Sequence, residues 1–144
     1  MSSQKAYIKL VKGSKQETIT VDELKNLLQD YRNMMQKTGK QLAWDYEQHA
    51  FPYEISETSE GKGTWFYLKG VEDRYKYIVF AVGKEEQKVN DEIVTQHYIQ
   101  VELPENATYG DKGKANEFCK YLGKKLEAEV TLFNGRTMYF NKKR

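Results

Sequence analysis

Apolar and polar positions recur along the chain at two spacings, which divide it into strands and two helices. Ile8 and Leu10 alternate with Tyr7, Lys9 and Val11, predicting a strand over Ala6–Lys12 that Gly13-Ser14-Lys15 ends. From Leu24 the spacing changes. Leu27, Leu28, Tyr31 and Met35 follow at the intervals of one helical face. Thr20-Val21-Asp22-Glu23 reads as a capping box, with Ile19 and Leu24 placed as a hydrophobic staple. Gly39 is the natural stop, so the pattern predicts a helix from Val21 to about Thr38.

Beyond it, Trp44, Tyr46, His49, Phe51 and Tyr53 crowd together, and Pro52 prevents a helix from running through them. Strands are expected near Tyr53–Thr58, over Thr64–Gly70 and over Tyr75–Gly83, with Glu60-Gly61-Lys62-Gly63 as a turn. The Tyr75–Gly83 run is apolar on both faces, which suits a central strand or an interface. Lys84–Asp91 reads as a charged loop. Ile93–Leu103 then alternates, with Ile93, Thr95, His97, Ile99, Val101 and Leu103 on one face, and Pro104 ends it.

A second helix is marked by the stripe Ala115, Phe118, Cys119, Leu122 and Leu126, with Asp111 as its expected N-cap. Gly123 inside it weakens the helix or marks a close backbone contact. Glu129–Phe133 and Arg136–Asn141 flank Asn134-Gly135, which predicts a hairpin with a type I′ turn. In that register Val130 faces Tyr139 and Leu132 faces Thr137. Neither hairpin face is wholly polar, so the pattern leaves open which one meets the core. The order is β-α-β-β-β-β-α-β-β. Few helices around a run of hairpin-connected strands imply an α+β domain, an antiparallel sheet with both helices on one face. The TATA-binding-protein-like architecture is the nearest analogy, with a helix-grip sheet as the alternative, and neither carries a function with it.

Composition adds class and compartment. The 144 residues suffice for one domain with a single core, and 11 Tyr among 13% aromatic residues argue against disorder. The mean hydropathy of −0.83 reflects 31% charged residues, a polar surface over that core. Cys119 is the only cysteine, so neither an internal disulfide nor a Cys-based zinc site can form. Met1–Lys5 has no apolar signal segment and no run is long enough to cross a bilayer, which predicts a cytoplasmic protein with no membrane partner. Residues 111–144 hold nine of the 23 Lys and Arg but only four of the 21 Asp and Glu, so positive charge collects at that end. The excess is small beside that of nucleic-acid-binding proteins and fits a solvated basic helix.

Candidate chemistry is sparse. Neither a phosphate-loop motif, a dinucleotide fingerprint nor a zinc pattern is present, so no catalytic residue, metal or cofactor is assigned. Two stretches could bind a ligand. Gly110, Lys112, Gly113 and Lys114 offer backbone N–H groups and positive charge to an anion at a helix start, where Asp111 would oppose it. Trp44, Asp45, Tyr46, Glu47 and His49 bring carboxylates, an imidazole and aromatic walls together, the ingredients of a cleft, though aromatic clusters more often plug a core. His97 reads as a hydrogen-bonded core histidine, and Cys119 as packing. The function expected is a non-catalytic binding or protein-interaction module, which could self-associate through a strand edge or an aromatic face. The alternatives are a small enzyme or small-molecule binder around Trp44–Phe51, and anion or nucleic-acid binding at Gly110–Lys125.

Four strings carry a resemblance: Ala6-Tyr7-Ile8-Lys9-Leu10-Val11-Lys12-Gly13-Ser14, Trp44-Asp45-Tyr46, Ala50-Phe51-Pro52-Tyr53 and the run from Gly110 to Cys119. Through them essentially the whole chain resembles the bacterial family catalogued as domain of unknown function 1885, small single-domain proteins of Bacillus-type bacteria. The resemblance implies an α+β cytoplasmic domain. It assigns no activity, so no catalytic residue is carried over.

Overall fold

The computed structural model describes residues 4–42, 51–61 and 63–141. Its elements are β1 (Gln4–Lys9), α1 (Val21–Leu42), β2 (Tyr53–Ser56), β3 (Trp65–Gly70), β4 (Tyr77–Val89), β5 (Glu92–Leu103), α2 (Tyr109–Leu126), β6 (Glu129–Thr131) and β7 (Thr137–Tyr139). The order is the one the periodicity predicts. All seven strands join one antiparallel sheet in the order β2-β3-β4-β5-β1-β6-β7. β1 pairs with both β5 and β6, which ties the start of the chain to its end.

Alternation decides which face is covered. Ile8, Phe66, Leu68, Ile78, Phe80, Ile99, Val101 and Val130 are all fully buried and lie on the same side of their strands. The helices lie over that side. Leu24, Leu28 and Tyr31 of α1 and Phe118, Cys119 and Leu122 of α2 complete the core. The helices meet through Tyr31, whose ring stands edge-on to Phe118 and Tyr121 at 5.2 and 5.1 Å. The capping box of α1 forms as expected: the Glu23 N–H donates to Thr20 Oγ1 at 3.1 Å, and the Thr20 N–H to Glu23 Oε1 at 2.9 Å. The helix continues past Gly39 to Leu42, because glycine permits a stop without imposing one.

Three local expectations are corrected. Lys84–Asp91 is not a loop: β4 runs on to Val89 and turns at Asn90 and Asp91, both at positive φ, straight into β5. Asn and Asp tolerate that conformation better than other side chains, so the two residues make a tight hairpin turn without glycine. In the final hairpin only Gly135 has positive φ. The loop is therefore the three-residue Phe133-Asn134-Gly135, closed by Leu132 and Arg136, and the register moves by one, to Val130↔Met138 and Thr131↔Thr137. Val130, Leu132, Met138 and Phe140 take the core side. Asp111 is not the N-cap of α2. Thr108 is, and Asp111 sits three residues in, as the other half of a capping box.

Candidate interaction surface

Positions of opposite parity form the second sheet face, which among the described residues no helix covers. The registers lay it out in rows: Ser56, Tyr67, Val79, Glu102 and Lys5 in one, and Trp65, Ala81, Gln100, Tyr7 and Thr131 in the next. Tyr77 and Lys69 flank the first row, and Tyr98 and Lys9 the second. Strand propensity explains the aromatic residues here, since flat rings cover a pleated surface well. They also pair: Tyr7 with Tyr98 and Tyr67 with Tyr77, each edge-to-face at 5.8 Å between centroids. All five rings, Trp65 included, are half-buried, so each keeps surface available to a partner. Tyr7, Lys9, Glu85 and Tyr98 surround a hollow of about 280 Å³ on this face. Lysines and glutamates alternate around the rings, the composition of an interface that excludes water at its centre and stays polar at its rim.

Beside that hollow the β4–β5 hairpin leaves the body. β3 ends opposite β4 at Trp65↔Ala81 and β1 ends opposite β5 at Lys9↔Tyr98, yet β4 and β5 stay paired to Val89↔Glu92. The result is a two-stranded arm. Gly83 lies at its root, where a Cβ would come within 2.7 Å of the Tyr98 ring, so the absence of a side chain lets that ring lie flat across the neighbouring strand. His97 is at the same root and half-buried, not in the core as its alternation suggested. The strand face is the one expected, but the helices do not reach that far along it.

The start of α2 carries the densest polar network. The Asp111 carboxylate is fully buried. It accepts the Tyr53 hydroxyl at 2.6 Å, the Lys76 N–H at 3.0 Å to each oxygen, and the Thr108 N–H at 3.0 Å. The Thr108 hydroxyl accepts the Asp111 N–H and donates to the Arg74 carbonyl at 2.5 Å. Burial and then the hydrogen bond to Asp111 raise the Tyr53 hydroxyl well above the ordinary tyrosine range. The helix terminus thus already holds an anion, the chain's own carboxylate.

Around that point the sequence-predicted residues separate. Gly110 lies against the Arg74 carbonyl and the Tyr75 ring, Gly113 faces open space, and Lys114 pairs with Glu117 at 3.7 Å. Lys112 points elsewhere and helps line a cavity of about 500 Å³ with Gln4, Leu103, Glu105, Thr108 and Tyr109. Of the aromatic stretch, Phe51 is buried against Tyr31, Tyr53 and Phe118. Trp44, Asp45, Tyr46, Glu47 and His49 lie outside the described residues. Among the described residues no cluster of His, Cys, Asp and Glu is arranged to hold a metal ion, and no helix is long and apolar enough to cross a membrane.

The arm is the feature sequence reasoning missed. Its signal was present in Asn90-Asp91, two residues suited to positive φ between Val89 and the β-branched run Ile93-Val94-Thr95.

Comparison with curated proteins finds no match. Among solved structures the chain is similar to a protein of unknown function from Bacillus stearothermophilus, with 42% identity and a TM-score of 0.53 over 85% of this chain and 90% of that one. The family described as domain of unknown function (DUF1885) matches residues 4–142, nearly the whole length, and the chain belongs to it.

Proposed function

We propose that the protein is a non-catalytic binding module that works in the cytoplasm and takes a protein partner on the uncovered face of its sheet. The observation that carries this reading is the group of half-buried rings Tyr7, Trp65, Tyr67, Tyr77 and Tyr98, set among lysines and glutamates on a face no described element covers. Tyrosine and tryptophan give large contact area for little loss of side-chain freedom, so they serve as anchors in protein interfaces. The mixed signs of the surrounding charges suit a protein surface better than a polyanion. A lone thiol, buried at Cys119, fits a compartment where thiols stay reduced. The test is affinity capture from extract of the source cell with wild type and with Tyr67→Ser/Tyr77→Ser. Proteins held by wild type and lost by the double variant, with its circular dichroism unchanged, support the reading. Identical captures from both sink it.

A second reading has one observation in its favour, the cavity beside Lys112. Lys112 lines it together with the apolar Leu103, Pro104 and Ala107, which suits a small ligand with one acidic group and an apolar body held away from Glu105. Calorimetric titration with short-chain carboxylates, in wild type and Lys112→Glu, checks it: equal heats in the two proteins dispose of the idea.

A further inference from the structure

The arm has two edges, unpaired among the described residues and unequal in character. On the β4 side Lys84, Glu85, Glu86 and Lys88 put four charges into five residues, the usual protection of an edge strand against pairing. On the β5 side Ile93-Val94-Thr95-Gln96 holds no charge, proline or glycine. Ile93 is 72% exposed and Val94 47%, close to the exposed Val89 at the end of the facing strand. The backbone is exposed as well. The His97 carbonyl accepts the Leu10 N–H on the side where β1 lies. Alternate residues of an antiparallel strand aim their backbone groups at the same edge, so Thr95 and Ile93 present N–H and C=O there too. β1 has ended by that point, and no described strand pairs with them.

We propose that this β5 edge pairs antiparallel with the same edge of a second copy of the chain, about a two-fold axis at Ile93 or Val94. The charge pattern selects the partner. With the axis at Ile93, Glu92 falls opposite Val94 and Asp91 opposite Thr95. With the axis at Val94, Glu92 falls opposite Gln96 and Ile93 opposite Thr95. Neither register sets like charges against each other, whereas on the β4 edge an axis at Glu85 or Glu86 sets a carboxylate against its own copy, and the axis at Gln87 that avoids this places charged side chains, not apolar ones, at the joint. Ile93 and Val94 point to opposite sides of the arm, so both sides of the joint are apolar at its centre. The contact is isologous and closes at two copies, which leaves no further edge of this kind to propagate. It stands on the arm and is independent of the partner proposed for the open face.

Sedimentation equilibrium of the full chain over a range of concentrations tests it. The expected result is a reversible dimer whose dissociation constant rises at least about tenfold in Ile93→Lys and stays within about twofold in Glu86→Lys. Under mild oxidation Val94→Cys is expected to give a cross-linked dimer on a denaturing gel if the axis is at Val94, and Ile93→Cys if it is at Ile93, since a position on the axis faces its own copy within disulfide reach and the native Cys119 is buried. All three positions lie outside the core, so folding survives each change. A wild-type chain that stays monomeric up to about 1 mM overturns the proposal. So does a dimer that Ile93→Lys leaves intact and Tyr67→Ser/Tyr77→Ser dissolves. A monomer that still captures proteins through the open face removes the self-pairing and leaves the proposed function standing.

Discussion

Three donors converge on the Asp111 carboxylate, from β2, from the turn before β4 and from the α2 cap, at a point fully closed to water. Removing the carboxylate leaves the Tyr53 hydroxyl and the Lys76 N–H without their acceptor, and unsatisfied buried groups are more expensive than a lost bond. Asp111→Ala is therefore expected to destabilise by about 3–5 kcal/mol, and Tyr53→Phe, which removes one donor and leaves the others, by about 1 kcal/mol. Urea unfolding measures both, and equal losses would show that the Tyr53 bond alone, not the convergence of three donors on the carboxylate, carries the stabilisation. Cys119 gives the second prediction at this scale. Burial pushes its thiol from 9.0 up to about 12. The folded state holds the proton longer than the unfolded one, so the stability from this group is complete below pH 9 and is lost as pH climbs towards 12. Above pH 9 wild type should lose up to about 1.4 kcal/mol per pH unit more than Cys119→Ala, and parallel slopes for the two proteins would show that the thiol does not titrate differently on folding.

Two glycines in α2 separate helix propensity from packing. Gly113 faces open space, and Gly113→Ala should stabilise by about 0.5–1 kcal/mol, the ordinary gain in helix propensity. At Gly123 a Cβ would lie 2.4 Å from Val130 Cγ2 and 2.8 Å from the Phe140 ring, so Gly123→Ala should lose about 1–3 kcal/mol despite the same gain. Thermal melts of the pair check the contrast, and a shift of the same sign in both would contradict it. The sequence carries half of this. A glycine inside the stripe from Ala115 to Leu126 pointed to close backbone contact, but Val130 and Phe140 arrive through a hairpin whose register depended on one dihedral at Asn134. Elements with a sustained period, α1, α2 and β5, were legible, because burying one face repeats one requirement many times. Turns were not, since a single residue's φ decides between Asn134-Gly135 as a two-residue loop and the three-residue loop it joins. The charges of Lys84–Lys88 hid a strand for a related reason: an arm with both faces in solvent has no apolar alternation to show. The open-face rings were present as alternate positions in the strands, yet only the helices' placement shows that they lie on the uncovered side.

A sheet with one face under two helices and the other covered by none of the described elements keeps its folding core apart from the surfaces proposed for contact. Ile78, Phe80, Ile99 and Val101 are buried in the same two strands whose far ends, from Lys84 to Thr95, are exposed. The arm, which holds none of these core residues, is therefore expected to contribute little to the stability of the body. Replacing residues 86–95 with Asn-Gly between Glu85 and Gln96, which face each other across the hairpin, shortens the arm without changing its register at the root. Stability of the monomer should change by less than about 1 kcal/mol, because no core residue is removed and a two-residue turn closes the cut. Measured by urea unfolding at low protein concentration, a loss of more than about 3 kcal/mol would mean that the arm supports the fold. Native-state hydrogen exchange gives the same division without mutation. Amides of Ile99 and Val101 should exchange only through global unfolding, while those of Glu85–Val89 exchange by local opening, so one hairpin spans the range from core to solvent. Protection of Ile93 and Thr95 that grows with protein concentration, while Glu86 and Lys88 stay open, would assign the β5 edge to contact between copies and leave the β4 edge to water.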